Sequence, residues 1–157
     1  MRSTFKKGLG YGLTSGIITT LGLMVGLNSS TQSMKVVIGG ILIIAIADAL
    51  SDALGIHISE EAEGDHTQKE VWEATIATFL AKFVFALMFV IPIIILPLKT
   101  AIISSILFGI VVIGIFSYLI AKDQGENPLH VVFEHITIAI LVILSTNYIG
   151  IWIGNIL

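Results

Sequence analysis

The stretch Ala47-Asp48-Ala49-Leu50-Ser51-Asp52-Ala53-Leu54-Gly55-Ile56-His57-Ile58-Ser59-Glu60-Glu61-Ala62-Glu63 begins inside an apolar run and ends in an acidic cluster. The run itself, residues 36–58, matches the roughly 20 apolar residues that carry a helix across a bilayer, and it holds two carboxylates, Asp48 and Asp52. Ionisable side chains at membrane depth are costly and are kept where they work. Two aspartates in such a run therefore mark both a membrane fold and a candidate site.

The rest of the chain agrees. Its 157 residues are 55% hydrophobic and 12% charged, with a mean hydropathy of +0.99. That leaves too little polar surface to cover a soluble globule and defines an integral membrane protein. Without cysteine there is neither a disulfide framework nor a thiolate metal site. A net charge of −3 supplies no basic patch for nucleic acid. The opening, with Arg2, Lys6 and Lys7, has the charge of a signal-peptide n-region. The apolar stretch behind it lacks a small-residue cleavage motif, which predicts a retained first span.

Five segments are long and apolar enough to span, at about 8–27, 36–58, 74–96, 100–120 and 136–157. The expected fold is all-α and polytopic, a single five-helix transmembrane domain over residues 1–157. Arg2, Lys6, Lys7, Lys69 and Lys122 collect on one side and only Lys35 and Lys99 on the other. The positive-inside rule then puts the N-terminus in the cytoplasm, the C-terminus outside and, in a prokaryote, the chain in the plasma membrane. Trp72 suits an inner aromatic belt, Tyr148 and Trp152 an outer one. Pro92 predicts a kink in the third span.

Spacing organises the first two spans. Gly8, Gly12, Ser15, Thr19, Gly22 and Gly26 make a heptad seam of small residues. Such a seam serves equally for packing within the chain, a dimer contact or a pathway lining. Ala45, Asp48, Asp52, Gly55 and Ser59 repeat the spacing, so both aspartates share one small, polar face, which Glu63 continues. If the first two spans turn near Thr31 and Gln32, Asp48 lies opposite Ser15. A turn of the next pair near Asp65 and His66 sets Lys82 level with the interval between Asp48 and Asp52. Each match carries an error of about a turn, roughly 5 Å. Lys82 then neutralises one aspartate and leaves the other unpaired.

The turn after the second span holds Glu60, Glu61, Glu63, Asp65 and His66, hard oxygens with one imidazole, suited to divalent cations or simply to water. Thr67 and Glu70 form a capping box that starts the third helix before the bilayer. His130, Glu134 and His135 form either a second cation-attracting group or interfacial caps.

These residues resemble the vacuolar iron transporter family, nodulin-like members included. Gly12-Leu13-Thr14-Ser15-Gly16-Ile17-Ile18-Thr19-Thr20-Leu21-Gly22-Leu23-Met24-Val25-Gly26-Leu27 is similar to that family's D-G-x-x-T-T-x-G-L-x-x-G opening, and residues 47–59 to its A-G-A-x-S-M-x-x-G-E-Y-x-S signature. The resemblance implies a five-helix subunit, a homodimer through the first helix, and proton-coupled export of ferrous iron or manganese from the cytosol. Ser15 stands at the family's first-helix aspartate, Asp52 at its second-helix methionine, and Ile56-His57 at its Glu-Tyr pair. The family's metal-collecting cytosolic helices are absent, so the chain resembles a short member.

Trading a thioether for a carboxylate favours harder cations. The expectation is a transporter, not an enzyme, with Asp48, Asp52, Lys82 and Ser15 as relay and Asp48, Asp52, Glu60, Glu63 and His66 as metal ligands. No cofactor is tightly bound; Fe2+ or Mn2+ is the cargo, and the bilayer and a second copy are the partners. The alternative is a non-transporting scaffold in which Lys82 is paired to Asp48 or Asp52. An intramembrane aspartyl protease fits worst, because its two aspartates should come from different helices.

Overall fold

The computed structural model describes residues 3–156; Met1, Arg2 and Leu157 lie outside the described residues, and with them one charge of the orientation count and the last residue of the fifth span. Six helices follow in order: α1 (Ser3–Thr31), α2 (Met34–Glu63), α3 (Gln68–Met88), α4 (Val90–Ile95), α5 (Leu98–Gln124) and α6 (Pro128–Ile156). Their ends are set by caps rather than by hydropathy. Ser33 accepts from Val36 N to open α2, and Gly64, at φ 74°, closes it in the left-handed region that glycine enters freely. Thr67 and Glu70 form both halves of the expected capping box.

All four predicted connections shrink, because the helices run past the apolar segments. The 28–35 segment reduces to Gln32 and Ser33, and residues 128–135 are the first turns of α6, opened by Pro128 at a position where its missing N–H costs nothing. Pro92 acts as expected. It offers no N–H to the carbonyl of Met88, and the helix breaks there between α3 and α4.

Counting α3 and α4 as one unit, five helices are long and apolar enough to cross a membrane. Leu50, Leu107, Leu144 and many similar side chains stay exposed on the outer faces, which in water would be an aggregating surface and in lipid is solvated. The protein is a multi-pass integral membrane protein.

α1 sits at the centre of the bundle. Just over half of its most apolar window is buried (56%), against 11% for α6. The glycine seam explains how. A Cβ at Gly8 would lie 2.3 Å from the Ala74 carbonyl oxygen, and one at Gly12 would lie 2.4 Å from that of Thr78. Only glycine lets α1 and α3 come this close, and Thr78 Oγ1 uses the approach to donate to Gly8 O at 3.1 Å. Further along, Gly22 and Gly26 face Val142 and Thr146 of α6. Thr19 turns its hydroxyl back to Ser15 O, 2.8 Å away. Of the three uses open to the seam, packing within the chain is the one its glycines serve here.

Candidate functional site

Two carboxylate pairs lie along α2, and each is met by a lysine from a different helix. The deeper pair is Asp48 and Asp52. Lys82 of α3 reaches both: its Nζ is 2.5 Å from Asp48 Oδ2 and forms a closer ion pair with Asp52 Oδ2. Ser15 of α1 completes the group, donating to Asp52 Oδ2 at 2.7 Å and accepting from Lys82 at 2.9 Å. Lys82 is only 2% exposed, whereas the side chain of Asp48 is 29% exposed. The contact to Asp48 lacks hydrogen-bond geometry, so that buried oxygen is held by charge alone.

The predicted level of Lys82 agrees with this geometry, but two expectations are corrected. Ser15 meets Asp52, not Asp48. The turn falls at Gln32 and Ser33, one residue late, which moves the level of Ser15 from residue 48 to 50. Leu50 points outward, so the facing side chain at that level is Asp52. The unpaired carboxylate is also absent, because one ammonium bridges both aspartates. Two carboxylates against one ammonium leave one net negative charge if all three are ionised.

The second pair is Glu60 and Glu63, at the end of α2. Glu60 is completely buried. Lys7 of α1 lies 2.6 Å from Glu60 Oε1 and donates to Glu63 Oε1 at 2.7 Å. From the other side, His66 Nε2 is 3.3 Å from Glu60 Oε2 and 3.4 Å from Glu63 Oε2. Neither oxygen of Glu60 receives a properly directed hydrogen bond. A buried carboxylate held only by neighbouring charge is an expensive arrangement. Ligand atoms of Glu60, Glu63 and His66 lie within 4.8 Å of one another, close enough to share one cation.

Among the described residues no other three acidic or imidazole groups converge in this way. Of the two readings open to His130, Glu134 and His135, the cation-attracting group is therefore not assembled. His135 instead bonds Ser117 Oγ through Nδ1 at 2.7 Å, and with Glu134 it lines a cavity of about 870 Å3 between α1, α5 and α6. His57 stabilises the same end of the bundle. Thr75 Oγ1 donates to Val71 O, so His57 Nδ1, 2.9 Å away, must be the donor to that hydroxyl. Its ring lies edge-on to Trp72.

Lys7 is the residue that sequence reasoning missed as part of the site. Its only signal was a lysine one position before the glycine seam, on the end of the helix that the seam draws to the centre.

The class is thus a multi-pass membrane protein with paired carboxylates along one helix and a metal-competent cluster at its end. Residues 9–71 match the VIT family. That segment holds α1 from Leu9 onward, α2 and both carboxylate pairs; Lys7, most of α3 with Lys82, α4, α5 and α6 lie beyond it. No curated protein matches the chain.

Proposed function

We propose that the protein is a divalent-cation transporter of the vacuolar iron transporter type, carrying Fe2+ or Mn2+ out of the cytosol in exchange for protons. The buried Glu60, ringed by Glu63 and His66 at the end of the helix that carries Asp48 and Asp52, is the observation that supports this most strongly. Two carboxylates and one imidazole suit Mn2+ or Fe2+ better than the all-oxygen sets preferred by Ca2+ or Mg2+. In this reading the N-terminal end of α1 is cytoplasmic, the glutamates receive the ion, and Asp48 and Asp52 pass it on as Lys82 gives way. Protons return through the same aspartates.

The working unit is a homodimer. A groove of about 750 Å3 between α1 and α2 is lined by Leu23, Leu27, Gly40, Ile44, Asp48 and Ser51. It brings a partly exposed aspartate to a face that would otherwise meet lipid. A second copy seated there shields Asp48, and α2 rather than the seam of α1 supplies the contact.

Liposomes containing the protein should take up Mn2+ down its gradient and move protons the other way. The scaffold reading is favoured by one observation, the closed bridge from Lys82 to both aspartates. It requires that no metal moves and that aspartate substitutions alter only stability. Metal flux that depends on Asp52 separates the two.

A further inference from the structure

Each carboxylate pair on α2 already holds a cation, and the two lysines differ in one respect. Lys82 is sealed in the bundle, whereas the Lys7 side chain is 45% exposed. Lys7 also borders the cavity between α1, α5 and α6, whose lining includes Asp123, Glu126 and Glu134. An ammonium leaving Glu60 and Glu63 has water and carboxylates waiting for it.

We infer that Lys7 is a resident competitor cation that restricts the Glu60–Glu63–His66 site to doubly charged ions. This rests on the metal-binding reading of that site. With Lys7 in place and His66 counted as neutral, two carboxylates and one ammonium leave the site with one net negative charge. A monovalent ion that displaces Lys7 leaves the same charge and gains nothing. A divalent ion brings the site to neutrality, and in a buried setting that difference is felt strongly, because Glu60 is removed from water that would otherwise screen it. The geometry supports exchange rather than joint occupancy. Lys7 Nζ already stands within 2.7 Å of Oε1 on each glutamate, so an ion held by the same two carboxylates and His66 would face the ammonium at close range and be repelled by it. Lys7 therefore sets specificity by charge, while the ligand atoms set it by type.

The test is Mn2+ binding to the purified full chain in detergent at neutral pH, followed by electron paramagnetic resonance. Lys7→Gln should bind Mn2+ at least about tenfold more tightly than wild type, since the competitor is gone. KCl should then weaken binding more than choline chloride of equal ionic strength, a difference absent from wild type. Lys6→Gln removes the same charge one residue away, from a lysine paired with Asp123 instead, and should change affinity far less. Lys7→Met, which keeps an apolar stem, takes the place of Lys7→Gln if the latter does not fold. Wild-type binding that Lys7→Gln leaves equal or weaker overturns the inference, as does an equal gain in Lys6→Gln. Binding by neither wild type nor variant removes the metal site itself, and the inference falls with it.

Discussion

The two lysine-bridged carboxylate pairs on α2 look alike in composition and differ in surroundings. At the deeper pair Lys82 of α3 is sealed against α1 and α2, with Ser15 as a neutral partner. At the end of α2, Lys7 reaches Glu60 and Glu63 from a half-exposed position, and an imidazole stands opposite. A buried ammonium parts from its partners only at a high cost, or when another cation takes its place, so the deep pair resembles a lock. An ammonium at the edge can step into water, so the outer pair works as a latch. One helix thus carries the same motif at two depths of burial, which the proposed transport would use first to admit an ion and then to pass it on.

The largest effect should come from breaking the lock. Lys82→Met leaves Asp48 and Asp52 facing each other without a cation, and removing one partner of a buried pair costs about 3–5 kcal/mol. Thermal unfolding in detergent would measure it. Asp48→Asn with Asp52→Asn in the same background should recover much of the loss, because no buried charge then remains. Full additivity of the three changes would mean that the lysine and the aspartates do not interact.

A smaller effect should follow from parting the helices that hold both clusters. Gly12→Val drives a side chain into the Thr78 carbonyl. Overpacking of this kind costs about 1–3 kcal/mol, and by moving α1 it should loosen Lys7 and Ser15 together. A variant in which only one cluster responds would show that α1 does not couple them.

The latch should be cheaper to open than the lock. Lys7→Gln leaves Glu60 short of a partner, a loss of about 1–3 kcal/mol that water entering the vacated space keeps toward the lower end. Added Mn2+ should raise the midpoint of thermal unfolding more in this variant than in wild type, because tighter binding to the folded state stabilises it more. The smallest effect is expected at Thr67→Ala. It removes the capping box beside His66, costs about 1 kcal/mol, and should weaken Mn2+ binding at the outer pair while leaving the deep pair untouched.

Much of this was legible in the sequence, for reasons that particular residues make plain. Apolar length marks the five spans because a bilayer imposes one thickness on all of them. The level of Lys82 came from counting, since two antiparallel helices rise equally from their shared turn. Counting from one turn gives depth alone, so Ser15 was matched to Asp48 when the rotation of α1 and a turn one residue later pair it with Asp52. The seam of α1 was visible, but small residues do not say which helix fills them; Ala74, Thr78 and Thr146 do. The burial of Glu60 was hidden for a related reason. In sequence it belongs to an acidic turn, and it is out of water only in the fold, where Lys7 of α1 and His66 close on it from two sides. Lys7 was read as one charge in an orientation count because its partners lie on another helix, 53 and 56 positions away.

The central claim is that the carboxylate pairs of α2 form a route for a divalent ion, and flux measures it most directly. Protein reconstituted into liposomes loaded with a Mn2+-quenched dye should quench that dye when Mn2+ is added outside, and Asp48→Asn and Asp52→Asn should each abolish the signal while folding normally. Mn2+ flux that persists unchanged in both variants, or no flux in wild type, would contradict the account.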